Sequence, residues 1–464
     1  MEKQTLISVA ETQDRVCAQS IPVSAIPTPT NESRIRRKLQ KLVQGSGTVT
    51  AMAPNTPAPI PAPPGCRTLI YRQDPSVQEA GLKKVYLPNY VADGPYDLRI
   101  KSEGSDMVYK NALGDMVQTP GTEAFNVVQA YTVVRMVLNM TQCALRAVNI
   151  NNPIPWFWNT YPKAGESADI PLSVKAHGLP DVMNAYYTRA EKSLRFGYFV
   201  KPGSQGEKVY TCLSLDIVAH ETAHAVLDGL KPNWITRSQI PQTSALHEAF
   251  GDLMAIFLTI SQMDMADAII TQTKANLHDK TFLSDIAEEF GLCLGRSNGF
   301  RNADNDLKLS NVGVEVHDLS QVFTGAVYDI LADMFAYDLS MQPRENPAKI
   351  LHSRASYLFG LLLRSLMNAG DDDVTFFDIM KEMKSGCEND QMPEVYASYI
   401  EHRFTIREIT EPLPGEIPHE SAVAGTPQTR QYCCGTMKRD EYNTGADDPW
   451  AGERIELKNF LKTK

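Results

Sequence analysis

The chain has 464 residues, 43% of them hydrophobic and 22% charged, with a formal net charge of -10 and a pI near 5.5. This length and balance suit a globular enzyme of two or three domains. The acidic excess argues against nucleic acid or an anionic membrane as the main partner, and the absence of any run of about 18 apolar residues predicts no membrane span.

Residues 1–65 are predicted to be a disordered, Pro-rich segment. The runs from Pro22 to Pro29 and from Pro54 to Pro64 cannot build strands or long helices, and they bury little. Between them, Arg34-Ile-Arg-Arg-Lys-Leu-Gln-Lys-Leu-Val allows one short basic helix, although a solvated linker is the commoner reading of such a run. No basic region followed by an apolar stretch marks a Sec signal, so a cytoplasmic location is expected, with non-classical export as the alternative. The cysteines (Cys17, Cys66, Cys143, Cys212, Cys293, Cys387, Cys433 and Cys434) show no C-x-x-C pairing. Thiols scattered in this way fit a reducing compartment.

From Cys66 to about Pro120 the pattern changes. Thr68-Leu-Ile-Tyr-Arg, Lys84-Val-Tyr-Leu, Tyr96-Asp-Leu-Arg-Ile and Met107-Val-Tyr-Lys cluster β-formers between Gly, Asp and Asn breaks. They predict a twisted antiparallel sheet. Thr122 to about Leu145 reads as a helix, with Phe125, Val128, Tyr131, Val134, Met136 and Leu138 near helical spacing. Residues 150–175 read mainly as loop. Strands are then predicted at Ile170-Pro-Leu-Ser-Val-Lys-Ala, Asn184-Ala-Tyr-Tyr and Leu194-Arg-Phe-Gly-Tyr-Phe-Val.

The chemistry begins at Ser214. His220-Glu221-Thr-Ala-His224 is an H-E-x-x-H sequence inside a helical pattern, with Ser214 as N-cap, Asp216 in the first turn, and Gly229 and Pro232 as stop signals. Histidines four apart stack on one helix face and can both reach a zinc ion. Glu221 is then placed as general base for a zinc-activated water. A second apolar helix is predicted from Ser244, carrying His247, Glu248 and Asp252. Glu248 can complete a His-His-Glu ligand set, and Asp252, one turn on, can accept the second ring N–H of a ligand histidine. The bland alternatives are core histidines and carboxylates favoured by a helix N-terminus.

Downstream, helices are predicted at about 245–262, 265–278, 281–292, 318–340, 345–368 and 373–385. A polar loop is expected over 295–316 and a polar tail over 411–464.

At this point the sequence resembles the thermolysin family of zinc metallopeptidases (gluzincins). The resemblance rests on His220-Glu221-x-x-His224-Ala-Val-x-Asp228, on Glu248-Ala-x-x-Asp252, on Asn184-Ala185-Tyr-Tyr and on Gly313-Val-Glu-Val-His317. It implies an α+β fold with a β-rich subdomain over 66–230, a mainly helical subdomain over 231–410, and the zinc site in the cleft between them. It also implies a zinc endopeptidase acting on a peptide or protein substrate. In that reading Zn2+ is held by His220, His224 and Glu248, with Glu221 and His317 catalytic and Asp252 supporting a ligand. Asn184 and Ala185 bind substrate backbone by strand addition. Arg296 or Arg301 contacts a substrate carbonyl, and Ile217 lines a pocket for a bulky apolar residue just after the cleaved bond.

The chain departs from the family pattern in places. No tyrosine lies between His224 and Glu248, and Trp234 stands in that stretch. Val312 occupies the place of the aspartate that partners the second histidine, leaving Asp318 or Glu315 to substitute. Asp216 matches a Ca2+ ligand position while Thr259 replaces a calcium glutamate. The alternative functions are a zinc aminopeptidase and a zinc-binding but inactive scaffold. Oligomeric state is not specified by any of these residues.

Overall fold

The computed structural model describes residues 65–411, apart from 78–80, 105–106, 164, 168, 237–239, 294–298 and 300, together with Met437–Lys438. The Pro-rich segment, Arg296 and the rest of the tail lie outside the described residues. The chain divides into two units, Met1–Pro64 with Pro88–Tyr90, and Gly65–Leu87 with Val91–Lys464. In the first unit the described part is a bend at Pro88–Tyr90. The second unit is a mixed α+β structure.

In the second unit, strands β1 (Cys66–Tyr71) and β2 (Leu82–Leu87) pair antiparallel, with Cys66 opposite Leu87 and Tyr71 opposite Leu82. Cys66, Thr68 and Ile70 face inward by the two-residue alternation of a pleated strand. The main sheet is mixed. It contains β3 (Ile100–Glu103), β4 (Leu172–Pro180), β5 (Ala185–Thr188), β6 (Ser193–Val200), β7 (Lys208–Tyr210) and β10 (Met437–Lys438), in the order β10-β5-β6-β4-β3 with β7 on β6. β3, β4 and β6 run parallel to one another, while β5 and β7 run antiparallel to β6. The predicted antiparallel sheet over 66–120 therefore holds only for β1 and β2. β3 pairs instead with a strand far along the chain, and Met107–Lys110 forms no strand.

Helix α1 (Glu123–Ala147) begins at Thr122, whose side chain accepts from the Phe125 N–H at 3.2 Å. Its buried Gln129 accepts from the Tyr71 N–H at 2.8 Å and donates to the Leu213 carbonyl at 3.2 Å, tying β1 to the entry of the motif helix. That helix, α2 (Leu215–Leu230), starts at the predicted Ser214 cap and is buried almost throughout. Gly229 is required there because a Cβ would meet the Pro155 carbonyl oxygen at 1.9 Å.

Helix α3 (Pro241–Ile260) begins earlier than Ser244, since Pro241 fits the first helical position, where its missing N–H costs nothing. Glu248 consequently lies in the helix interior, and the N-terminal dipole does not account for it.

α4 (Met263–Thr273), α5 (Val316–Met341), α6 (Pro347–Asn368), α7 (Phe376–Asn389) and α8 (Glu394–Ile406) complete the helical part. The helix expected over 281–292 is not formed as such. Asp285–Ile286 (β8) pairs with Arg301–Asn302 (β9), and only Glu288–Cys293 is helical. A side-chain bond from Asn302 to Asp285, and the Ala287 N–H donating to Asp216 at 3.2 Å, hold this segment in place of local helical bonding. Among the described cysteines, Cys143 is disulfide-bonded while Cys66, Cys212 and Cys387 are free and buried. The disulfide departs from the expectation of scattered thiols. Among the described residues no single helix is long and apolar enough to cross a membrane.

Candidate metal centre

α2 and α3 pack against each other along the face that carries the motif, and the sequence spacing sets what meets there. His220 and His224 sit one turn apart with ring centroids 4.7 Å from each other, and their Nε2 atoms are 3.1 Å apart. Glu248 comes across from α3. Its Oε2 is 3.4 Å from His220 Nε2 and its Oε1 is 3.6 Å from His224 Nε2. All three side chains are buried, and their candidate ligand atoms lie within 4.8 Å of one another. Donors on a zinc tetrahedron with bonds of about 2.0–2.1 Å stand about 3.3 Å apart along an edge. The 3.1 Å between the two Nε2 atoms, and the 3.4 and 3.6 Å from each of them to one or the other Glu248 oxygen, are of that size.

The chemistry of the donors also fits a cation. His220 Nδ1 lies 2.9 Å from Asp252 Oδ1, which turns Nε2 toward the centre, where it would offer its lone pair to a bound cation. Arg301 clamps Asp252 from the far side, Nε to Oδ2 at 2.7 Å and Nη2 to Oδ1 at 2.6 Å. Gly251 makes this stack possible, because a Cβ there would sit 2.5 Å from His220 Nδ1. Burial alone would strip the proton from His220, but its hydrogen bonds to Asp252 and Glu248 outweigh it and raise its pKa. Burial keeps His224 neutral, well below its ordinary pKa, against the pull of Glu248. Glu248 is buried, which opposes ionisation, yet His224, His317 and His220 hold its carboxyl well below the usual range.

Glu221 is directed between β5 and the centre. Its Oε2 accepts from the Tyr187 N–H at 3.1 Å. Burial pushes its carboxyl up to about 8, with His220 lowering it and Glu248 adding like-charge repulsion. A carboxyl at that value can both take and return a proton near neutral pH.

His317, in the first turn of α5, reaches the same place with Nε2 3.6 Å from Glu248 Oε2. Its Nδ1 lies 2.6 Å from Glu315 Oε1, so Glu315 and not Asp318 is its carboxylate partner. Burial lowers the His317 pKa, but Glu248 and Glu315 reverse this and raise it.

The remaining sequence candidates are distributed as follows. Asn184 and Ala185 stand at the start of β5, with the Asn184 side chain accepting from the Ala185 N–H at 2.7 Å. Ile217 is half-buried on α2, three residues before His220, between the buried Asp216 and Val218. Of the two arginines, Arg301 is joined to the centre through Asp252, and Arg296 lies outside the described residues. Trp234 is buried and donates to the Gly370 carbonyl at 2.9 Å. Asp216 and Thr259 do not belong to either group of potential metal ligands found among the described residues. The second such group, His278, Asp304 and Asp329, already has its charge balanced, since Arg407 lies 3.0 Å and Arg403 3.5 Å from Asp329.

Several contributors were not legible as such in the sequence. His247, adjacent to Glu248, is fully buried, and its ring lies 5.8 Å from that of His224 with neither of its nitrogens hydrogen-bonded. Burial pushes its pKa down to about 3, so it is a neutral wall of the site. Gly251 and the Tyr187 N–H left no local signal either, because their roles come from contacts between distant elements.

No protein-family model and no curated protein matches the chain. Among solved structures, the precursor of protealysin, a metalloproteinase from Serratia proteamaculans, is similar at 15% identity and a TM-score of 0.41, over 69% of this chain and 88% of that chain. A likeness at that level carries no argument about function, which rests on the side chains.

Proposed function

We propose that this protein is a zinc-dependent endopeptidase of the thermolysin kind, which hydrolyses peptide bonds in a cleft between a β-rich half (66–230) and a helical half (231–410). The observation that carries the reading is the buried triangle of His220 Nε2, His224 Nε2 and Glu248, with Glu221 beside it. These three residues would hold the metal. Zinc bound there supplies Lewis acidity, polarising a carbonyl oxygen and making a nearby water easier to deprotonate.

The protein's own groups do the rest. The substrate backbone adds to the edge of β5 as an extra strand, so main-chain hydrogen bonds hold many sequences alike. Glu221 takes the proton of the attacking water and returns it to the leaving amine. His317, held by Glu315, donates to the oxygen that gains charge as the carbonyl is attacked. Arg301, anchored on Asp252, contacts a substrate carbonyl. Ile217 favours a bulky apolar residue after the cleaved bond.

A scaffold that binds zinc without cleaving is the second reading. It is favoured by Trp234, which stands where the family carries a phenol and whose N–H is committed to Gly370.

The test compares the wild type with Glu221→Gln. Both should hold one zinc by metal analysis. Only the wild type should cleave a casein-like protein, with the variant lower by about 10²–10⁴-fold and the wild type silenced by a chelator. Zinc bound by both with no cleavage of a broad peptide library would leave the scaffold. Cleavage confined to substrates with a free N-terminus would point to an aminopeptidase.

A further inference from the structure

β5 has two edges, and its hydrogen bonds tell them apart. It pairs antiparallel with β6, Ala185 opposite Phe196 and Tyr187 opposite Leu194, and the Gly197 N–H donates to the Asn184 carbonyl at 2.8 Å. Backbone groups alternate in direction along a strand. The polar groups of Asn184 and Tyr186 thus face β6, and those of Ala185 and Tyr187 face away from it. The Tyr187 N–H accordingly reaches Glu221 on the outer side. This outer edge is the one along which the proposed substrate lies.

That edge is already taken by the chain itself. Met437–Lys438, from the polar tail, pairs with it in parallel, Met437 opposite Tyr187 and Lys438 opposite Thr188. With β10 in place, β5 is an interior strand of the sheet. The register sets the tail backbone at Tyr187, the residue whose N–H holds the proposed general base. A two-residue strand is a weak ligand, but tethering gives it an effective concentration on the order of millimolar. Such a strand competes with substrate and is still displaced by a longer one.

We propose that the C-terminal tail, through Met437–Lys438, is a ligand in cis for the outer edge of β5 and holds that edge against peptide substrates. The proposal rests on the reading above that this edge receives substrate, so the test separates the two.

The test uses the full-length protein with Met437→Pro/Lys438→Pro, which removes both backbone donors. Lys438→Ala, which removes the charged side chain and keeps the backbone donor, is the control. In the wild type and in the control, the amide of residue 438 should exchange roughly threefold to tenfold more slowly than in the free peptide Gln431–Tyr442, the size expected for one strand hydrogen bond. On a blocked peptide the proline variant should show a KM lower by a similar factor, with kcat and zinc content unchanged. A synthetic peptide spanning Gln431–Tyr442 should restore the higher KM.

A residue-438 amide that exchanges as fast as in the free peptide overturns the docking of the tail. A protected amide with the same KM in the wild type and the proline variant overturns the competition. If every form binds zinc and none cleaves, the peptidase reading fails, and the exchange result alone decides whether the tail sits on β5.

Discussion

Helix α2 carries two buried polar constellations one turn apart, and they are built on opposite principles. At Asp228 the acceptors meet protein donors. Tyr187 Oη donates to Oδ2 at 2.7 Å, Arg189 Nε donates to Oδ2 at 3.0 Å, and Arg189 Nη2 is bonded to Oδ1. The same guanidinium donates to the Pro232 carbonyl at 2.7 Å and stacks over Phe157 at 3.7 Å. At His220, His224 and Glu248 three metal-ligating side chains are turned toward one another, with two imidazole nitrogens only 3.1 Å apart. Both sets are buried. The first is satisfied by the protein alone and fixes β5 against α2. The second is brought to balance by a cation, and is supported from outside by Asp252 and Arg301. Burial of charge therefore does not mark a functional site. What marks one is metal-ligating side chains of three positions brought within 4.8 Å of one another in a buried place.

The largest expected effect comes from breaking the satisfied set. Asp228→Asn keeps the shape but leaves the Arg189 guanidinium buried without its counter-charge, which costs about 3–5 kcal/mol of folding stability. Urea unfolding of the two zinc-free proteins measures it, while zinc affinity should change little in the fraction that is folded. If Asp228→Asn were as stable as the wild type, the ion pair would not be what holds β5 to α2.

Changing the support of the other set should do the reverse. Asp252→Asn weakens the orientation and basicity of His220, so zinc affinity should fall by about 10–100-fold, read by competition with a chelating dye. Unchanged affinity would mean that Arg301 and Asp252 serve the fold and not the ligand histidine.

The same contrast explains what could be read from the sequence. His220 and His224 were legible because an i, i+4 relation is local: once the segment is helical, both rings share a face. Glu248 and Asp252 followed from the same rule, although Pro241 moved the helix start upstream of Ser244. The β1–β2 pairing and the strands at 172–200 were legible as segments, but their directions were not. β3 on β4 and β4 on β6 are parallel pairings between distant stretches, and no local pattern encodes them. Glu315 could not be chosen over Asp318 as the partner of His317 from residue type alone, because that depends on how the loop before α5 folds back. Gly251 shows the limit most clearly, since its role is to be absent where the His220 ring lies.

The smallest effect sharpens the comparison at the second potential ligand group. His278 Nδ1 is 2.8 Å from Asp304 Oδ1 at the surface, and Arg403 and Arg407 already neutralise Asp329 beside it. The Asp304 hydrogen bond raises the His278 pKa, partial burial opposes it, and Asp304 and Asp329 add to the rise against Arg403. A histidine whose pKa is raised on folding contributes its full stability below the unfolded value, about 6.5, and loses it as pH climbs through the higher folded value. The stability gap between the wild type and His278→Gln should therefore be widest at about pH 5.5 and close above neutrality. It should stay under about 1 kcal/mol because the pair is half exposed to solvent. Thermal unfolding across this range reads the gap, with and without zinc. A gap that does not vary with pH would remove His278 from the protonated pair. A gap that vanishes only when zinc is added would make this cluster a metal site after all, despite its arginines.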